Sequence, residues 1–317
     1  MEVAELILPV FAVIVTGWAA GLVGYVPRPL SDGLIHFAYN IAMPALLIVT
    51  IAEEPARSLF AWRFLVAFGG GSLICFALVF LAARILGDDG LAGPSMQGWA
   101  ASMTNTGFVA LPILQATYGP RAVLPAAIAT VFVAVVMFPC AVVLQELDPK
   151  NAGGSRIGPA KLMRRVILNP MVLSTLIGVA WSAFGAPMPG PVGAYLRILA
   201  DALTAAALFA IGLGLSIDGL LANFGRSILL MIVKLLIMPL IVLGLALSVR
   251  LDPLNTAAAV VCAGVPTAKT VYILAGEYAC EEQLVAATVS MTTLCSIATL
   301  IVWLYALAGF VPLGVAR

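Results

Sequence analysis

Charge is what this sequence has least of. Charged residues fill 10% of its 317 positions, against about 25% in a soluble globular domain. The balance is only +1 at pH 7, so no basic face exists for a nucleic acid and none is expected as a partner. Histidine is nearly absent, His36 being the only one. That excludes most zinc chemistry and any histidine-dependent nucleophile not built on His36. There is no Gly-rich phosphate loop, no Ser–His pair in a suitable setting and no paired-aspartate motif on a helix. An enzyme is therefore not expected, and no cofactor or metal is implied. The five cysteines, Cys75, Cys140, Cys262, Cys280 and Cys295, lie scattered through apolar segments without ligand or disulfide spacing. They read as small core residues.

What is there is apolar. Hydrophobic residues make up 62% of the chain and the mean hydropathy is +1.11, the signature of a multi-pass membrane protein with spans of about 20 residues. The chain begins MEVAELILPV, acidic rather than basic ahead of its first apolar run, and without a small-residue cleavage site. The first run is therefore expected to stay as a span. Apolar runs separated by short polar or Gly/Pro breaks predict ten helices, at 4–26, 32–52, 62–86, 95–118, 121–146, 166–186, 190–216, 224–249, 254–278 and 283–312. The only long polar connection, 147–165, divides a first five-helix unit (1–146) from a second (166–317). An odd number of spans per half sets the halves in opposite orientations, so any duplication must be inverted. Proline in FAYNIAMPALLI (Asn40, Pro44) and glycines in ALFAIGLGLS mark corresponding irregularities in the second and seventh spans. With the N-terminus outside, inner connections carry eight Lys/Arg and outer ones six. Both termini periplasmic and the central loop cytoplasmic is the orientation this bias favours.

Two spans are interrupted. In 257–278, AAAVVCAGVPTAKTVYILAGEY, Gly264, Pro266 and Lys269 fall within six residues near the middle. Proline removes a helical hydrogen bond and clashes with the preceding turn, and a lysine at that depth costs about 2.5–3.5 kcal/mol on insertion scales. In 100–118, AASMTNTGFVALPILQATY, Thr104, Asn105, Thr106, Gly107 and Pro112 do the same. Irregular backbone is tolerated at membrane depth only where protein or a water-filled cavity encloses it. One broken span in each half points to a transporter's binding site.

A break exposes N–H groups at one new helix end and C=O groups at the other. The N-terminal end carries about half a positive charge, so two such ends make an anion site. Thr104, Asn105, Thr106 and Thr267 are placed either to satisfy freed backbone groups or to contact a ligand. Lys269 is the sharpest single residue. It can bind a carboxylate, stand where a coupling cation would sit, or titrate; the bland alternative is snorkelling or a structural ion pair. Lys234 reads as a structural ion pair or a snorkelling side chain, with Asp201 as a candidate charge partner for a buried lysine. His36 reads as an interfacial hydrogen-bonding residue.

These motifs have a family likeness. NTGFVALPILQATYG in the fourth span and PTAKTVYILAGEY in the ninth resemble the auxin efflux carrier family, as do YNIAMPALL, ALFAIGLGLS and KLLIMP in order along the chain. That family includes the plant auxin carriers and bacterial permeases for malonate, malate and related acids, and the short central loop is similar to that of the bacterial members. The resemblance implies an all-α membrane fold of ten spans in two inverted five-helix repeats, with scaffold and transport domains drawn from both. Helices four and nine would be broken and crossing, as in bile-acid symporters and sodium/proton antiporters. The crossing would fall at Thr104-Asn105-Thr106 and Pro266-Thr267-Ala268, with Gly107, Lys269 and Asn40 beside it. Plant carriers have proline where Thr104 stands and lack a lysine at the position of Lys269, which turns the expectation from auxin toward a more highly charged anion.

The resulting expectation is a secondary carrier of small organic anions in the bacterial inner membrane, a homodimer with lipid around it. Its rivals are a sodium- or proton-coupled carrier of the same fold and a membrane sensor without flux.

Overall fold

The computed structural model of this chain describes residues 3–53, 61–87, 90–148, 164, 168, 170–185, 187–214 and 223–309. Most of the connection at 147–165, and the last residues of the final span as read from sequence, lie outside them. The described chain is helical, with no strand beyond one isolated two-residue bridge. Six helices are long and apolar enough to cross a membrane: α2 (Leu30–Glu53), α3 (Trp62–Ile85), α6 (Pro120–Glu146), α8 (Gly190–Leu213), α9 (Phe224–Ser248) and α12 (Glu282–Leu307). Shorter helices complete the set: α1 (Val3–Leu22), α4 (Ala92–Ser102), α5 (Leu111–Tyr118), α7 (Pro170–Phe184), α10 (Pro253–Gly264) and α11 (Lys269–Glu277).

Pro44 and Pro112 behave differently from the expectation that proline would mark the interruptions, whereas Pro266 lies within one. Among the described residues, five helical segments widen into π-turns, at Ala38–Ala42, Leu65–Gly70, Thr106–Ala110, Val133–Met137 and Val233–Ile237. In four of them a proline follows two residues on: Pro44, Pro112, Pro139 and Pro239. A proline ring collides with the carbonyl four residues earlier, and the wider turn clears it. So Pro44 and Pro112 are absorbed without ending a helix. Of the glycines in ALFAIGLGLS, Gly212 does not interrupt its span either, while Gly214 caps the end of α8 after Leu213.

Helices sort into two packing groups. In one, α8 lies along α1 and α2, and α7 packs on the second half of α2. Gly17 and Gly212 make the α1–α8 approach possible: a Cβ on Gly212 would stand 1.9 Å from the Ile14 carbonyl oxygen, and one on Gly17 would stand 2.2 Å from that of Phe209. Small residues serve helix association in lipid in this way, because apolar burial alone gives no preference for protein over acyl chains. In the other group α3 packs on α4 and α9, α9 on α10, and α12 on α9, α10 and α11. Phe76 stacks on Trp99 with ring centroids 4.0 Å apart. Both half-helices that precede a break are enclosed by protein: Pro94–Ser102 of α4 and Thr256–Gly264 of α10 are buried throughout. Asp148, from the start of the central connection, is buried and accepts from the Leu91 and Ala92 amides at 2.8 and 2.7 Å, closing the N-terminus of α4.

Candidate functional site

Both interrupted spans are broken, and the two breaks meet. Helix α4 ends as Met103 turns extended (ψ 114°), and the chain re-enters helix at Thr106. Helix α10 ends as Val265 turns extended (ψ 159°), and α11 starts at Lys269. Thr104 and Thr267 pair as an antiparallel bridge. The Asn105 amide donates to the Pro266 carbonyl at 2.9 Å, and the Ala268 amide to the Met103 carbonyl at 3.0 Å. Each break thus supplies what the other has lost, which meets the requirement that backbone groups be satisfied away from water.

Side chains complete the exchange. The Thr267 hydroxyl donates to the Ala100 carbonyl at 2.6 Å, and its amide donates to Thr292 Oγ1 at 3.2 Å. The Asn105 side chain accepts from the Phe108 amide at 3.3 Å and caps the turn that follows. Thr106 accepts at 3.0 Å from Thr130. For Asn105 and Thr267 the capping role is therefore realised, whereas the Thr106 hydroxyl is engaged by the Thr130 side chain. Thr104 differs: its hydroxyl is buried without a hydrogen-bond partner.

Two cavities flank the crossing. One, of about 350 Å³, is lined by Thr104, Thr106, Gly107, Asn40 and Ala268, with Tyr39 and Phe138 on its apolar wall. The other, of about 380 Å³, is lined by Thr267, Ser31, Tyr272, Ser290 and Thr293. Ile35, Asn105, Phe108 and Lys269 border both. Among the described residues, no acidic side chain lines either. Of the residues anticipated from sequence, Pro266 serves by its carbonyl alone. Gly107 packs against α2, where an added Cβ would meet Met43 Cε at 2.5 Å. Asn40 is exposed and bonds back to the His36 carbonyl at 2.9 Å.

The charged residues depart from expectation. Lys269 is not a buried charge: its side chain is 44% exposed and pairs with Asp32 of α2 at 3.1 Å. As the first residue of α11 it points out of the crossing toward the cavities rather than into the packed interior. Lys234 neither snorkels nor pairs with an acid. It is fully buried, and its side-chain nitrogen donates to the carbonyl of Ala263, next to last in α10. The π-turn at Val233–Ile237 carries it there, so a hydrogen-bond donor sits on the negative end of a half-helix. Asp201 is exposed on α8 and partners neither lysine. Asp32 and Phe108 went unnoticed in the sequence, because a turn aspartate and an apolar residue in an apolar run carry no local signal.

The chain matches the family model described as "Membrane transport protein" over residues 2–304. It is 29% identical over 317 residues to a Rhizobium meliloti protein named "Putative malonate transporter", covering 98% of each chain. It is 25% identical over 309 residues to an "Uncharacterized transporter" of Methanothermobacter thermautotrophicus, covering 96% of this chain and 98% of that one. A shorter likeness, 27% identity over 167 residues, links 51% of the chain to 26% of the rice "Auxin efflux carrier component 2". Breaks, apolar helices and sequence kinship agree: this chain belongs to the membrane transport protein family, that of the auxin efflux carriers, and is a transporter, not an enzyme.

Proposed function

We propose that the chain is a secondary active transporter or facilitator of small organic anions, working by alternating access at the crossing of its two broken spans. The observation that carries this reading is the Thr104–Thr267 bridge. It brings the N-terminal ends of the Thr106–Ala110 turn and of α11 together beside Lys269. Two positive helix ends and an ammonium favour a carboxylate, and cavity walls that carry no acidic side chain among the described residues favour an anion over a cation. The relative named as a malonate transporter, aligned over nearly the whole chain, supports malonate or a similar mono- or dicarboxylate as cargo.

In this reading the chain is built of two inverted five-helix repeats, 1–146 and 166–317. The group formed by α1, α2, α7 and α8 is the scaffold, and the group carrying the crossing is the mobile domain. The parallel ends of the broken spans support the duplication: each closes on a residue with positive φ, Gly119 at 77° and Ala279 at 45°. The protein would reside in the bacterial inner membrane, with both termini periplasmic, as a homodimer through the scaffold. Uptake of labelled malonate into proteoliposomes tests the reading. Wild-type protein transports, and Lys269→Ala abolishes the flux; full flux in that variant would remove Lys269 from the mechanism.

A further inference from the structure

The Asp32–Lys269 pair has three properties that belong together. It joins the two packing groups, Asp32 standing on α2 and Lys269 on α11. It is open, the Asp32 side chain being 80% exposed and that of Lys269 44%, so neither charge is trapped by desolvation. And Lys269 borders both cavities, whereas Asp32 lines neither. The ammonium offered to a ligand is thus already neutralised by a carboxylate held just outside the ligand's space. Asp32 lies in the first turn of the segment Leu30–Phe37, where the helix end favours negative charge. Ser31 ties that turn to α8 by donating to the Ala210 carbonyl at 2.8 Å.

Resting on the anion-transport reading above, we propose that Asp32 is a selectivity residue: it occupies Lys269 in the empty carrier and competes with the substrate's carboxylate for it, so that affinity depends on substrate charge. An anion arriving at Lys269 displaces Asp32 and then sits beside it. At a separation of about 6 Å in water-like dielectric, repulsion from Asp32 weakens binding by about threefold for each ligand charge. Removing the Asp32 charge therefore strengthens binding by about threefold for a monoanion and about tenfold for a dianion. Displacement also breaks this ion pair between α2 and α11, loosening one group from the other as substrate binds.

The test compares wild type with Asp32→Asn for malonate and propanoate, which share a three-carbon chain and differ by one carboxylate. Affinities come from ligand-dependent thermal unfolding of the purified protein, at low and at high salt. The exposed Asp32 side chain leaves folding undisturbed on substitution. The expected result is tighter binding in Asp32→Asn, with a larger gain for malonate, and a gain that shrinks at 0.5 M salt as screening shortens. Unchanged or weaker binding of both anions in the variant overturns the proposal, as does an equal, salt-insensitive gain for the two. If neither anion stabilises wild-type protein or Asp32→Asn, it is the anion-transport reading that has failed.

Discussion

At the scale of single residues, the two threonines of the bridge carry different duties despite their paired positions. Thr267 spends its hydroxyl on the Ala100 carbonyl, whose usual partner was lost when α4 ended. Thr104 has no such partner and lines the cavity beside Lys269. A buried hydroxyl without a hydrogen bond costs about 1–3 kcal/mol, a penalty that an incoming carboxylate would relieve. Thr104→Val replaces the hydroxyl by a methyl group of equal size. The ligand-free variant is expected to unfold at the same temperature as wild type or higher, while malonate affinity falls about tenfold, the value of one hydrogen bond to a charged group. Thermal unfolding across a malonate series reads both quantities. A less stable empty protein with undiminished affinity would assign the hydroxyl to the fold instead.

At the scale of elements, the six long apolar helices were legible because lipid demands long apolar runs, and the breaks because Gly264, Pro266, Thr104 and Asn105 are costly there. Which prolines interrupt was not legible. Pro112 and Pro266 look alike in sequence, yet a π-turn absorbs the first and extended backbone surrounds the second. The outcome depends on what lies opposite, and Asn105 and Met103 stand ready for Pro266 and Ala268. Lys234 was misread for the same reason, since its partner is a carbonyl 29 residues away, freed by another helix's break. Asp32 was hidden because its role exists only across two packing groups. The absorbed prolines still leave a carbonyl bare. Pro239 has no N–H for Leu235, and Trp303 of α12 supplies one, its indole donating to that carbonyl at 2.9 Å. Trp303→Phe should therefore destabilise the protein by about 1–3 kcal/mol. In a Pro239→Ala background, where a backbone amide is restored, the same change should cost less. A double-mutant cycle in denaturant unfolding measures the difference; strict additivity would mean that the indole bond does not stand in for the missing amide.

At the scale of the whole molecule, the two packing groups differ in how they could move. Within the first, α1 and α8 touch backbone to backbone at Gly17 and Gly212, an approach with no room for sliding. Between the groups, Gly107 of the crossing faces the flexible end of Met43 on α2, a contact that can be broken and remade. Alternating access around a fixed midplane site needs slip at the second kind of contact and rigidity at the first. A covalent tie across the slip plane should then separate binding from flux. Cysteines introduced by Met43→Cys and Gly107→Cys, in a background without the native five, can be bridged by a short reducible bifunctional thiol reagent. The unbridged variant provides the reference for any effect of the substitutions themselves. Bridging is expected to stop malonate uptake into proteoliposomes while malonate still raises the unfolding temperature, and reduction is expected to restore the flux. Undiminished uptake with the bridge intact would mean that substrate crosses without movement between α2 and the crossing, and would recast the protein as a path through a fixed frame.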